Sequence, residues 1–101
     1  GIFCPNESST FGMLLALRQM NLAGKTRFVG FDTSPPLIEA LQKGEIDALV
    51  AQDPTLMGYY GVKTLVARLQ GKEVPKTIDT GVRLITRDNL NTPEIRKLLG
   101  N

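Results

Sequence analysis

The sequence has no histidine and no tryptophan, a single cysteine, and only two tyrosines and four phenylalanines. Without histidine there is no Ser-His-Asp triad, no Cys-His dyad and no zinc site built on imidazole. Cys4 alone cannot form an internal disulfide or a CxxC centre, and it is expected to be a small buried hydrophobe near a strand end. Charge of one sign is also scarce: 12 Lys and Arg against 10 Asp and Glu leave a net charge of +2. That surplus is no electrostatic footprint for nucleic acid or an anionic membrane. The longest strongly apolar run, Met13 to Leu17, is five residues, against the roughly 20 that a membrane-spanning helix needs. Neither GxGxxG nor GxxxxGK[ST] occurs, so no phosphate-cradling loop is written in the chain. Glu7, beside a helix start, and Asp32 and Asp53 would repel an anion. The chain opens without Met and without a signal pattern, on Gly1-Ile2-Phe3-Cys4, which reads as the inside of a buried strand. A fragment, or a domain of a longer protein, is expected.

What is present is an ordinary globular composition: 101 residues, 42% hydrophobic and 22% charged, enough for one small domain. Elements alternate along the chain. Gly1 to Pro5 is a short apolar strand. Glu7 to Leu22 reads as a helix, with Phe11, Leu14, Leu15, Leu17 and Met20 on one face and Gly24 as its stop. Arg27 to Phe31 is a second strand, ended by Asp32-Thr33-Ser34. A helix opened by Pro35 or Pro36 carries Leu37, Ile38 and Leu41 and stops at Gly44. Asp47 to Gln52 is a third strand. Asp53 as N-cap and Pro54 in the first turn open a long helix to about Gln70. Gly58 and Gly61 in it either allow a close neighbouring backbone or weaken its first turns. A polar connector, Lys72 to Thr77, leads to an extended segment, Ile78 to Arg87, and Thr92-Pro93-Glu94 opens a last helix through Leu99. This β-α-β-α-β-α-β-α order predicts a parallel sheet covered by helices on both faces, with central strands apolar throughout, as doubly covered strands are.

Ligands of open α/β sheets bind beyond the carboxyl ends of the strands. The polar residues there are Asn6 after the first strand, Asp32 after the second, and Gln52, followed by Asp53, after the third. A carboxylate accepts from two adjacent hydroxyls, and a side-chain amide both donates and accepts, so the set suits a neutral polyhydroxylated ligand. Each residue alone also fits a helix cap or a turn. Gln52 fits that role least, because it is a poor cap at the end of an apolar strand.

These residues carry a family resemblance. Phe3-Cys4-Pro5-Asn6-Glu7, followed by Gly12 and a Leu-Ala-Leu helix, is similar to the sugar-site helix start of type I periplasmic binding proteins of the ribose-binding class. Val29-Gly30-Phe31-Asp32 with its Pro-containing turn resembles the second signature of that family. Lys43-Gly44-Glu45-Ile46-Asp47-Ala48 with Val50-Ala51-Gln52-Asp53-Pro54 resembles the third. Met57-Gly58-Tyr59-Tyr60-Gly61-Val62 and Thr80-Gly81-Val82 to Asp88-Asn89-Leu90 resemble the segments that follow. The resemblance spans essentially the whole chain and implies a flavodoxin-like, three-layer α/β/α lobe of a type I periplasmic binding protein. It implies the C-terminal part of the solute receptor of an ABC-type sugar importer, periplasmic or otherwise extracytoplasmic, with Asn6, Asp32 and Gln52 as sugar contacts. Its implied partners are a small neutral sugar (a monosaccharide or cyclitol), the missing N-terminal lobe and a membrane permease, with no nucleic acid. No cofactor, no metal and no catalysis are expected.

The same architecture implies that the chain crosses between lobes after Gln52. Residues 1–53 would be a C-terminal lobe segment, 54–77 a helix and connector of the other lobe, and 78–101 the last strand and helix. Apolar surface left by missing partners should then drive self-association. The alternative is the effector-binding domain of a lactose-repressor-family regulator, where a Thr-Val-Arg-Gln-like strand usually stands in place of Asp47-Ala48-Leu49-Val50-Ala51-Gln52. An enzyme on a flavodoxin-like fold would have only Cys4 and the Asp residues to work with, and no base partner.

Overall fold

A computed structural model describes residues 1–100. The order is β1 (Ile2–Phe3), α1 (Glu7–Gln19), β2 (Phe28–Phe31), α2 (Pro35–Lys43), β3 (Ala48–Ala51), α3 (Pro54–Leu69), β4 (Arg83–Ile85) and α4 (Pro93–Leu98). The expected alternation is therefore present. Pro5 cannot donate to a ladder, and β1 ends before it. Gly44 closes α2 in the left-handed conformation at φ 82°, where glycine carries no Cβ penalty. Asp53 caps α3 by accepting from the Leu56 N–H at 3.0 Å, as its position before Pro54 predicts. Helix α1 is shorter than expected. Its C-cap is Met20, and Asn21 turns left-handed at φ 56°. The Leu22 N–H then donates back to the Leu17 carbonyl, so the helix stops before Gly24.

The chain divides into two units, one from Gly1–Ala51 together with the segment from Arg83 onward, the other Gln52–Val82. The first holds a four-stranded sheet in the order β1-β2-β3-β4. Strands β1, β2 and β3 pair in parallel. The fourth does not: β4 runs antiparallel to β3, with Ala51 opposite Arg83 and Leu49 opposite Ile85. The all-parallel sheet expected from the alternation is thus corrected to a mixed one. The cause is where the chain re-enters. It leaves the unit at the carboxyl end of β3 and returns beside that same end, so the next strand must run backwards. A parallel strand would need a crossover to the opposite end of the sheet.

Consecutive strand order with right-handed crossovers puts α1 and α2 on one face of the sheet. There a single cluster is buried, built from Leu14 and Leu17 of α1, Phe28, Leu37, Leu41, Leu49 and Ile85, with Leu90 and Ile95. Cys4 belongs to it, buried as its sequence context predicts. The buried stripe of α1 is Thr10, Leu14 and Leu17, and Phe11, Leu15 and Met20, expected on that face, are exposed. On the opposite face of the sheet, the edge residues Phe3 and Leu84 are 59% and 57% exposed.

The second unit holds α3, which has no buried residue. A Cβ at Gly58 or Gly61 would meet nothing within 4 Å, so among the described residues no close neighbour requires these glycines. The expected extended segment from Ile78 contributes to the sheet only at Arg83–Ile85. No helix of the described residues is long and apolar enough to cross a membrane.

Candidate functional site

Strand β1 hands over to α1 through Asn6, whose backbone is extended at φ −154°. Its Oδ1 accepts from the Ser9 N–H at 2.9 Å, the Ser9 hydroxyl at 2.8 Å and the Ser8 hydroxyl at 3.1 Å. The amide oxygen is therefore committed to capping the helix. A hydrogen bond from Asn6 to a ligand falls to the amide NH2 as donor, not to a group that both donates and accepts.

Strand β2 continues into Asp32, whose N–H donates to the Val50 carbonyl at 2.9 Å. Asp32 then adopts φ +70°, a left-handed conformation that Asp tolerates better than most residues but at some cost. The residue at the N-cap position of α2 is not Asp32. That position belongs to Ser34, which makes no capping hydrogen bond through its side chain. The turn reading of Asp32 thus describes its backbone.

Asn6 and Asp32 come together at one open cleft of about 650 Å³, within the usual size range of small-molecule sites. Asn6, Glu7, Ser8 and Phe11 line it from the start of α1, and Asp32, Ser34 and Pro36 from the turn into α2. Gln52 is not among the lining residues. It is half-buried, follows the last residue of β3, and begins the second unit. The lining carries two carboxylates, Glu7 and Asp32, and no cation. Such a cleft receives hydroxyl donors and repels phosphates. Among the described residues no three His, Cys, Asp or Glu side chains gather as around a metal ion.

The structure adds four kinds of lining residue that the sequence reading did not assign. Its helical spacing groups Phe11 with the core residues, yet it stands 38% exposed and gives the cleft an aromatic wall. Glu7, Ser8, Ser34 and Pro36 fit helix-start and turn positions in the sequence. Their signal was position alone: each lies within a few residues of Asn6 or Asp32, at the same ends of neighbouring parallel strands.

Comparison with known proteins identifies the family. The periplasmic binding protein domain family matches residues 1–73. A ribose import binding protein of Haemophilus influenzae is 33% identical over 85 residues, covering 84% of this chain and 28% of that protein. A carbohydrate transporter solute binding protein from Agrobacterium radiobacter, solved with D-arabinose, superposes with a TM-score of 0.88 at 37% identity, over 97% of this chain and 33% of that one. An ABC transporter solute binding protein from Agrobacterium vitis with bound D-fucose gives 0.87 and 41%, over 95% and 33%. The chain thus spans about a third or less of the length of these relatives. By its sequence and its fold this chain is a member of the periplasmic binding protein family, of the type I, ribose-binding kind.

Proposed function

We propose that this chain is the C-terminal part of an extracytoplasmic sugar receptor of an ABC-type importer, and that it binds rather than catalyses. The observation that carries the reading is the convergence of Asn6 and Asp32 on one cleft that is walled by Phe11 and lacks cations. A small neutral sugar matches that chemistry. Asp32 accepts from two adjacent hydroxyls, the Asn6 amide donates to a ring or hydroxyl oxygen, and Phe11 packs on the C–H face. Gln52, one residue past β3, is the third polar contact in this reading. The D-arabinose and D-fucose held by the two solute binding proteins support a pentose or hexose. The permease of the importer is the macromolecular partner. The relatives named above are receptors rather than gene regulators, which favours transport over effector sensing.

Calorimetric titration of the full-length receptor that carries these residues, both lobes present, against D-ribose, D-arabinose and D-fucose tests this reading; the 101-residue chain alone, with about half the contacts, should bind weakly or not detectably. Tight binding of one of the three sugars by the receptor is expected. Asp32→Ala should weaken it more than about tenfold, as the loss of a charged hydrogen-bond acceptor does. Unchanged affinity in Asp32→Ala, or no binding to any of the three, overturns the reading.

A further inference from the structure

Thr10 is fully buried, the one polar side chain among the buried residues described, and its hydroxyl joins the two halves of the cleft. Oγ1 donates to the Asn6 carbonyl at 2.7 Å and accepts from the Phe31 N–H at 3.0 Å. The second bond fills a gap in the sheet. The Cys4 N–H donates to the Val29 carbonyl, and alternate residues of β2 face the same neighbour, so the Phe31 N–H points to where β1 would continue. β1 has already turned away at Pro5. The Thr10 hydroxyl stands in for the missing strand.

The methyl group is fixed as well. A Cβ at Gly30 would lie 2.2 Å from Thr10 Cγ2, so the methyl occupies the space that glycine leaves. Both partners of the hydroxyl adjoin the cleft. One is the backbone of Asn6 itself, and the other is the residue immediately before Asp32.

We infer that Thr10 is the positioning residue of the sugar site: its hydroxyl locks Asn6 and the left-handed Asp32 in their relative places without touching ligand. This rests on the sugar-receptor reading above for its ligand, but not for its geometry. Two substitutions separate the hydroxyl from the packing. Thr10→Val keeps the shape and removes the bonds, leaving the part-buried Phe31 N–H without this acceptor. Thr10→Ser keeps the bonds and removes the methyl.

The experiment is amide hydrogen exchange by NMR on both variants, with the Leu49 amide as control for global stability, followed by titration with whichever of D-ribose, D-arabinose and D-fucose the unaltered full-length receptor binds. In Thr10→Val the Phe31 amide should exchange at least about tenfold faster and sugar affinity should fall by about tenfold or more. Thr10→Ser should stay within about threefold on both readouts, a difference well below the loss of one buried hydrogen bond. If Thr10→Val matches the unaltered protein, or if Thr10→Ser loses as much, the residue only packs and the inference is overturned. Should Thr10→Val fail to fold, Thr10→Ser still decides: retained binding supports the hydroxyl, and a tenfold loss refutes it. If the unaltered full-length receptor binds no sugar, the receptor reading falls while exchange at Phe31 still judges Thr10.

Discussion

At the scale of single residues, Gly30 leaves no room for a side chain. An added Cβ would stand 2.2 Å from Thr10 Cγ2 and 3.2 Å from Leu49 Cδ2, and neither neighbour is free to move, since both are fully buried. Gly30→Ala should therefore destabilise the protein by about 2–3 kcal/mol, as overpacking does. Urea unfolding of the variant measures this, and a loss below about 0.5 kcal/mol would show that the α1–β2 contact is looser than described. The same neighbourhood shows how far the site was legible in the sequence. Asn6 and Asp32 could be found because each follows an apolar strand, and strand ends on one edge of a parallel sheet converge. Phe11 could not, because hydrophobicity alone assigned it to the core. The helix instead buries Thr10, a polar residue whose hydroxyl has two backbone partners. Nothing in a single sequence distinguishes a threonine on the solvent face from one that completes a ladder.

Elements are held together by fewer directional contacts than residues, and one of them titrates. Arg18 near the end of α1 binds Glu45, just past α2, in a two-pronged pair, Nε to Oε2 and Nη2 to Oε1, each at 2.8 Å. Those hydrogen bonds hold the Glu45 carboxyl below its ordinary value of 4.5 and raise the Arg18 guanidinium above its own. A carboxyl group with a lowered folded value stabilises the fold in full above its unfolded value, and that stabilisation is lost as pH falls through the folded one. Arg18 is 39% exposed, so solvent screens the pair, and its worth is about 0.5–1 kcal/mol. Glu45→Gln should cost that much at neutral pH in urea unfolding. The difference from the unaltered protein should shrink as pH drops below 4.5, and a constant difference down to strong acid would assign the effect to packing instead. Element boundaries were legible where a residue had one possible job. Gly44 ended α2 and Asp53-Pro54 began α3 as read. The end of α1 was not, because Asn21 adopts the left-handed turn that a glycine was expected to supply. The direction of β4 was not legible either, since a strand of three residues, Arg83–Ile85, reads the same both ways, and only the point of chain re-entry sets its sense.

For the whole molecule, apolar surface decides behaviour. Helix α3 is 16 residues long and buries none of them. Val62, Leu65, Val66 and Leu69 recur at the spacing of one helix face, and each is 46–78% exposed. A helix of this length gains little from its own hydrogen bonds in water and depends on packing that stripe. Within the first unit, Phe3 and Leu84 lie on the sheet face opposite α1 and α2 with more than half their surface exposed. Monomeric proteins rarely leave contiguous apolar stripes of this kind open. The 101-residue chain alone should therefore self-associate, with a native mass above the 11.0 kDa of one copy. It should move toward that mass when Leu65→Lys and Leu69→Lys are introduced together, since two like charges on the stripe make burying it against a second copy costly. Light scattering over a concentration series measures both. A clean monomer before substitution would mean that the stripe tolerates water in this chain, and with it the reason to expect association would go. An associated state that ignores the two lysines would move the contact from α3 to the open face of the sheet, where Phe3→Lys and Leu84→Lys are the substitutions to follow.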